Sequence, residues 1–308
     1  MFIFLKEYYD INYTSSLKVS DKTYKVLSSH GYYLVKEIKD KTSENIFKRL
    51  YLSKVDYILL PLKGKNDFFI QFEDEKYYLV FNYYEDESLA GYDLKLNLHI
   101  LFLIDLHKKT KINIQINNSY LKDTIDFLDL KIKKASDNIN ARMEVIERSD
   151  YHSPNDWYFL MHYNILNKSL EKASKHLMFF ENEVKKLSSI RLCLTYQNFD
   201  FNHILLKKEK IISLEKSGYN FISYDLYDLV TKLSDNFISI DTFILDYLKA
   251  NPLEEYEKEH LMTMLYLFNY TRYENMLDDL SYLISLNDYL SIVDKIEDEI
   301  IFSSENEE

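Results

Sequence analysis

Leu194-Thr195-Tyr196-Gln197-Asn198-Phe199-Asp200-Phe201-Asn202-His203-Ile204-Leu205 is the stretch where the periodicity of this chain changes. Leu192-Cys-Leu-Thr-Tyr196 reads as one short strand and Lys210-Ile-Ile-Ser-Leu214 as another, with an irregular loop between them. On both sides the pattern is helical. Upstream, Leu98, Leu101, Phe102, Asp105 and Leu106 recur at three- and four-residue steps, and Ile125, Leu128, Ile132 and Ala135 share one face of a second helix. Ser153-Pro154-Asn-Asp156 opens a third helical stretch reaching about Leu187, as two helices or one bent one, with Ser as N-cap and Pro at the first position. Downstream, Asn251-Pro252-Leu-Glu-Glu255 is another start signal, and Ser303 to Glu308 reads as a solvated acidic tail. A strand-bearing loop inside a helical region is a natural place for chemistry, because functional residues concentrate on loops held by rigid elements.

The first eighty residues have a different texture. Tyr24-Lys-Val-Leu-Ser-Ser-His30 and Gly31-Tyr-Tyr-Leu-Val-Lys36 form one expected hairpin. Asp67-Phe-Phe-Ile-Gln-Phe72 and Lys76-Tyr-Tyr-Leu-Val-Phe-Asn82 form another around Glu73-Asp74-Glu75. Between the hairpins, Ile46, Phe47 and Leu50 are spaced as one helical face. The expected class is therefore α+β: a β-rich lobe at 1–82, a connector at 83–90, and a helical lobe at 91–308 with the loop-rich segment at 192–215.

Composition removes several functional classes. The 308 residues carry 38 Lys+Arg against 50 Asp+Glu, a net charge of −12, so a clustered positive field for nucleic acid is not expected. One cysteine, Cys193, excludes an intrachain disulfide and a multi-thiolate zinc site. The four glycines lie too far apart for a GxGxxG or Walker loop. No apolar run approaches the ~20 residues of a membrane span, and Met1-Phe-Ile-Phe-Leu5-Lys6 does not read as a secretory signal. The expected location is a reducing cytoplasm.

The central segment resembles the kinase-like phosphotransferases, the aminoglycoside phosphotransferase and choline kinase group, and most closely the spore-coat kinase-like proteins. Gly31-Tyr-Tyr-Leu-Val-Lys36 matches the family's Gly-x-Tyr-x-Leu-Lys strand and places Lys36 at the nucleotide-phosphate lysine. Leu103-Ile-Asp-Leu-His107 and Ser153-Pro-Asn-Asp-Trp157 match family helix segments, and Ser223-Tyr-Asp-Leu-Tyr-Asp-Leu229 matches a helix start beyond the site. The family writes His-Gly-Asp, four residues, then Asn-Ile-Leu. Aligning Asn202-His203-Ile204-Leu205 to its end puts Gln197 where the catalytic Asp belongs. Ile211-Ile212-Ser213-Leu214-Glu215 matches Ile-Ile-Asp-Trp-Glu, with Ser213 at the metal-binding Asp. The resemblance implies a protein-kinase-like two-lobed fold, ATP and Mg²⁺ as cofactors, an alcohol as phosphate acceptor, and a bacterial source.

Its chemistry is the part that departs. Phosphoryl transfer relies on positioning, Mg²⁺ and an Asp that accepts the hydroxyl proton. Gln197 cannot take a proton, and a positioned base is typically worth ~10²–10⁴-fold. Ser213 offers a neutral oxygen where Mg²⁺ is normally held by carboxylate. Ser-Asp-Lys-Thr between Val19 and Tyr24 has no glycine to bring backbone amides to phosphate. The expectation is a pseudokinase that acts by binding a nucleotide, a small molecule or a protein. The alternatives are an ATP-dependent small-molecule phosphotransferase with a displaced metal site at Asp200, Asn202 and Glu215, and a structural protein of the spore-coat type whose cleft is filled by Tyr196 or Tyr219. Glu44 is the expected partner of Lys36, with Glu37 and Asp40 as competitors. His107 and His203 are expected to hydrogen-bond locally, Trp157 to be core, and Cys193 to be an inert buried thiol.

Overall fold

A computed structural model describes residues 2–85, 91–116, 118–233 and 240–305. Residues 86–90 of the expected connector and 306–308 of the expected acidic tail lie outside them. The chain packs as two compact units, one of Met1–Thr110 with Leu194–Tyr219, the other of Lys111–Cys193 with Asn220–Glu308.

The first unit starts with helix α1 (Ile3–Tyr9), which periodicity did not reveal because seven residues give barely two turns. Its Phe4 and Leu5 join Ile11, Val26, Val35, Tyr78 and Val80 in a core beneath the sheet, and the Phe4 and Tyr78 rings stack 5.2 Å apart. That sheet holds β1 (Tyr13–Ser20), β2 (Thr23–Ser28), β3 (Gly31–Ile38), β4 (Ile70–Glu73) and β5 (Lys76–Asn82), in the order β1-β2-β3-β5-β4 with antiparallel pairing throughout. Gly31 closes the β2–β3 hairpin at φ +121°, a conformation L side chains rarely adopt, although no atom crowds its missing Cβ. Asp74 and Glu75 turn the β4–β5 hairpin with positive φ at both positions, the twist two-residue hairpins favour. Helix α2 (Glu44–Ser53) buries Phe47 and Leu50, as expected from spacing.

Helix α3 (Tyr92–Thr110) ends on a buried threonine whose Oγ1 accepts a hydrogen bond from the Leu194 amide at 3.0 Å. That bond fixes the start of the central segment against the helix. Packing completes the anchorage: Tyr196 lies edge-on to Phe102, at 5.4 Å between ring centroids, and Phe199 edge-on to His99, at 4.7 Å.

In the second unit, β6 (Ile112–Gln115) pairs antiparallel with β7 (Ser189–Thr195) from Ile112 opposite Leu192 to Gln115 opposite Ser189. The short β6 was not anticipated. Around it stand α4 (Asn118–Glu147), α5 (Pro154–Lys185), α6 (Ser223–Leu233), α7 (Ile240–Ala250), α8 (Glu255–Tyr266) and α9 (Met276–Glu305). Helix α5 is one helix of 32 residues, not two, opened by the capping box in which Ser153 and Asp156 satisfy each other's amides. Trp157 is a correction: it is 56% exposed, not core, because the first turn of α5 directs it away from the buried Phe159 face. Among the described residues no helix is long and apolar enough to cross a membrane.

Candidate functional site

The central segment leaves its strand at Thr195 and turns at once, Gln197 adopting φ +47°. A single 3₁₀ turn, Phe201–His203, follows, capped by Asp200, whose Oδ1 accepts from the Asn202 amide at 2.8 Å. Two short strands, β8 (Ile204–Leu205) and β9 (Lys210–Ile211), then form a hairpin. The expected strand over Lys210-Ile-Ile-Ser-Leu214 stops at Ile211, because Ser213 sits in the left-handed region at φ +65°. Sustained left-handed conformations at non-glycine residues cost on the order of 1–3 kcal/mol and cluster at functional sites.

Side chains lock this loop. The Tyr196 hydroxyl donates to the Ile212 carbonyl at 2.8 Å, and Asn198 Nδ2 donates to the Ser213 carbonyl at 3.0 Å. His203 Nδ1 lies 3.0 Å from the Asn198 carbonyl; a carbonyl only accepts, so Nδ1 carries the proton and His203 bonds locally as expected. Gln197 Nε2 donates to Thr195 Oγ1 at 2.6 Å. Tyr196 and Asn198 were not assigned these joining roles from sequence, since a loop's internal bonds leave no periodic trace.

Lys36 of β3 reaches the same loop. Its Nζ is 3.5 Å from Ser213 Oγ and forms an ion pair with Glu215. Both side chains are partly buried, at 27% and 17% exposure, so the pair is shielded more than a surface one. Glu44, expected as the lysine's partner, is engaged elsewhere. It accepts from the Phe69 and Ile70 amides at 3.1 and 2.9 Å and pairs with Lys48 one helical turn on. The amides at the start of β4 hold that carboxylate in place. Glu37 pairs with Lys76 and Asp40 accepts from the Thr42 amide. Asp200 and Asn202 are exposed. Among the described residues, no group of three or more His, Cys, Asp or Glu is arranged to hold a metal.

A cleft of about 300 Å³ opens beside the Lys36–Ser213 contact. Leu34, Leu59, Phe81, Leu205 and Ile212 give it apolar walls, and Thr23, Asn82, Tyr83 and Tyr84 complete the lining. Neither Tyr196 nor Tyr219 belongs to that lining. A parallel bridge between Ile58 and Ile211 ties the Leu59 wall to the hairpin floor, reinforced by the Leu59 amide donating to the Ile211 carbonyl at 2.9 Å.

Comparison with solved structures gives the architecture its name. The chain superposes on an aminoglycoside phosphotransferase from Alicyclobacillus acidocaldarius with a TM-score of 0.69 at 11% identity, covering 96% of this chain and 95% of that one. It has the aminoglycoside phosphotransferase fold. A spectinomycin phosphotransferase crystallised with ADP and spectinomycin gives a TM-score of 0.52 at 12% identity, covering 96% of each chain. No protein-family model and no curated protein sequence matches the chain. The antiparallel five-stranded sheet and the helical C-terminal part are the two-lobed, kinase-like arrangement of this phosphotransferase fold. In it, the segment quoted at the outset runs from the end of β7 through a loop into β8 of the β8–β9 hairpin.

Proposed function

We propose that this protein uses the phosphotransferase fold to bind a nucleoside-type ligand in the cleft beside Lys36, with phosphoryl transfer impaired. The observation that carries this reading is the pairing of Lys36 with Glu215 next to Ser213. In the resemblance, Lys36 serves the phosphates and position 213 the metal. Here the lysine is neutralised internally, and the metal position is a serine hydroxyl facing an ammonium group. A divalent cation gains little from a neutral oxygen whose neighbour is a cation, so these residues do not fit Mg²⁺ as arranged. Gln197, at the position of the base, donates its amide to Thr195 and has no site for a proton. The apolar cleft walls, by contrast, suit a planar heterocycle, and the volume lies at the lower end of the ~300–1,000 Å³ typical of small-molecule sites.

The second reading is an ATP-dependent phosphotransferase acting on an alcohol. It is favoured by one feature: Glu215 brings a carboxylate beside Ser213, through Lys36, and so replaces the missing Asp nearby. A spore-coat-type structural role rests on analogy alone.

A thermal unfolding scan with adenosine, ADP and ATP, each in Mg²⁺ and in chelator, separates the readings. Ligand at 100 times its Kd adds about 2.7 kcal/mol, a rise of several degrees at roughly 2–4 °C per kcal/mol. The binding reading expects a rise that is the same in Mg²⁺ and chelator, with no transfer to alcohols. A Mg²⁺-dependent rise, with turnover lost in Glu215→Ala and kept in Gln197→Ala, establishes the phosphotransferase instead. No rise with any of the three ligands overturns the binding reading.

A further inference from the structure

We propose that the exposed face shared by α5 and α9 docks a basic amphipathic helix of a partner protein. The two helices lie side by side and run the same way. Near their starts, Asn155 Nδ2 donates to the Met276 carbonyl at 2.7 Å and to Asp279 at 3.1 Å. Further along, Lys172 Nζ donates to Asp294 and Glu297 at 2.9 and 2.7 Å. On α5, Trp157, Met161 and Ile165 recur every four residues; on α9, Leu277 and Ile284 stand seven apart, with Met276 beside the first. Trp157, Met161, Met276 and Leu277 are each more than half exposed, and Ile165 and Ile284 about two-fifths. Monomeric proteins rarely leave large apolar side chains uncovered together, and Trp and Met are residues that interface cores favour. Rows at these spacings suit a helix laid between them with anchors at i, i+3 or i+4, and i+7.

Charge selects the occupant. Residues 220–308 carry 20 Asp and Glu against 5 Lys and Arg, whereas residues 1–219 carry 30 against 33. The face borders that acidic region. Glu274, Asp278 and Asp288 are exposed along its α9 side, and Arg272 is the one cation between residues 270 and 290. On α5 the next cation, Lys168, lies past Ile165. A second copy would bring the same carboxylates against these and be repelled, as would an anionic membrane. A helix carrying Lys or Arg beside an apolar stripe meets both features at once.

Trp157 is the chain's one tryptophan, so its emission reports directly on this face. The experiment titrates the full chain with a synthetic amphipathic helix of Leu and Lys, about 18 residues or five turns long. A scrambled peptide of the same composition and a Leu–Glu helix are the controls. Expected is a saturable blue shift of Trp157 emission with the Leu–Lys helix, and binding at least tenfold weaker for both controls. Met161→Gln combined with Leu277→Gln should weaken binding at least tenfold, and Asp288→Lys at least threefold. No shift up to about 1 mM peptide overturns the inference, as does equal binding of the scrambled peptide. A folded double variant that binds within twofold of the unmodified chain also overturns it. So does sedimentation of the chain alone as a dimer that the double variant abolishes, since the face then belongs to a second copy. Should the double variant fail to fold, the peptide comparison and Asp288→Lys decide.

Discussion

Arg142 has a side chain only 2% exposed, and both of its terminal guanidinium nitrogens are paired. Its guanidinium donates to both Asp279 oxygens, at 3.1 and 2.8 Å, and to the Tyr270 hydroxyl at 2.7 Å, while Asn155 Nδ2 donates to the same Asp279 at 3.1 Å. Removing one partner of such a buried pair strands the other charge, a loss of about 3–5 kcal/mol. Asp279→Ala is therefore expected to lower the unfolding free energy read from urea denaturation by that amount, with Asp279→Asn in between; an unchanged free energy would show that water reaches Arg142. None of these four residues drew attention in the sequence, because Arg142 and Asp279 are 137 positions apart and nothing local marks the pair. Lys36 was legible for the opposite reason: Gly31 and the alternating strand between them fix its position. Its partner was not. Glu44 and Glu215 are equally acidic in sequence, and only the three-dimensional placement of the Phe69 and Ile70 amides decides which one the lysine obtains.

At the scale of elements, α5, α8 and α9 are clamped by a charged cluster. His176 Nδ1 and Nε2 lie 2.7 and 2.9 Å from Glu259 and Glu297, and Lys172 donates to Glu297 and Asp294 at 2.7 and 2.9 Å. Burial opposes the charge on His176, but the two carboxylates outweigh it and raise its pKa above the ordinary 6.5. Stability from this group is complete below pH 6.5 and is lost as pH rises through the raised value. On α8, burial alone pushes His260 down to about 3, where its Nδ1 and the Ser223 hydroxyl are 2.6 Å apart. The unfolded chain then binds the extra proton between pH 6.5 and about 3, so stability falls on acidification at about 1.4 kcal/mol per pH unit. Burial also opposes the charge on Glu297, yet its hydrogen bonds hold it at about 2, and that contribution is lost as pH falls from 4.5 towards 2. Denaturation across pH 4–9 should give a maximum near 6.5, and His176→Gln should flatten the alkaline side selectively. A profile unchanged by that substitution would rule out the clamp as the cause. Long periodic helices with start signals were readable here, as Ser153-Pro154 shows for α5. Elements of four residues, such as β6, carry too few periods to stand out and exist because a neighbouring strand pairs with them.

At the scale of the whole molecule, the chain shares a phosphotransferase fold with a structural neighbour at 11% identity. A fold can be shared at that distance because the buried pattern tolerates exchange among apolar residues of similar volume. Cys193 belongs to that buried pattern: it is fully enclosed, and burial, then the charges of Asp225 and Glu257, push its thiol well above the ordinary value. The consequence is practical. A chain with one cysteine, silent while enclosed, carries its own label for opening events. A thiol-reactive dye should attach only as fast as the strand around residue 193 is exposed, so the stoichiometry is one and the rate follows the population of the open form. Adding adenosine should slow that labelling if occupancy of the cleft stabilises the fold; prompt reaction in native buffer would mean that the strand opens far more readily than its burial implies.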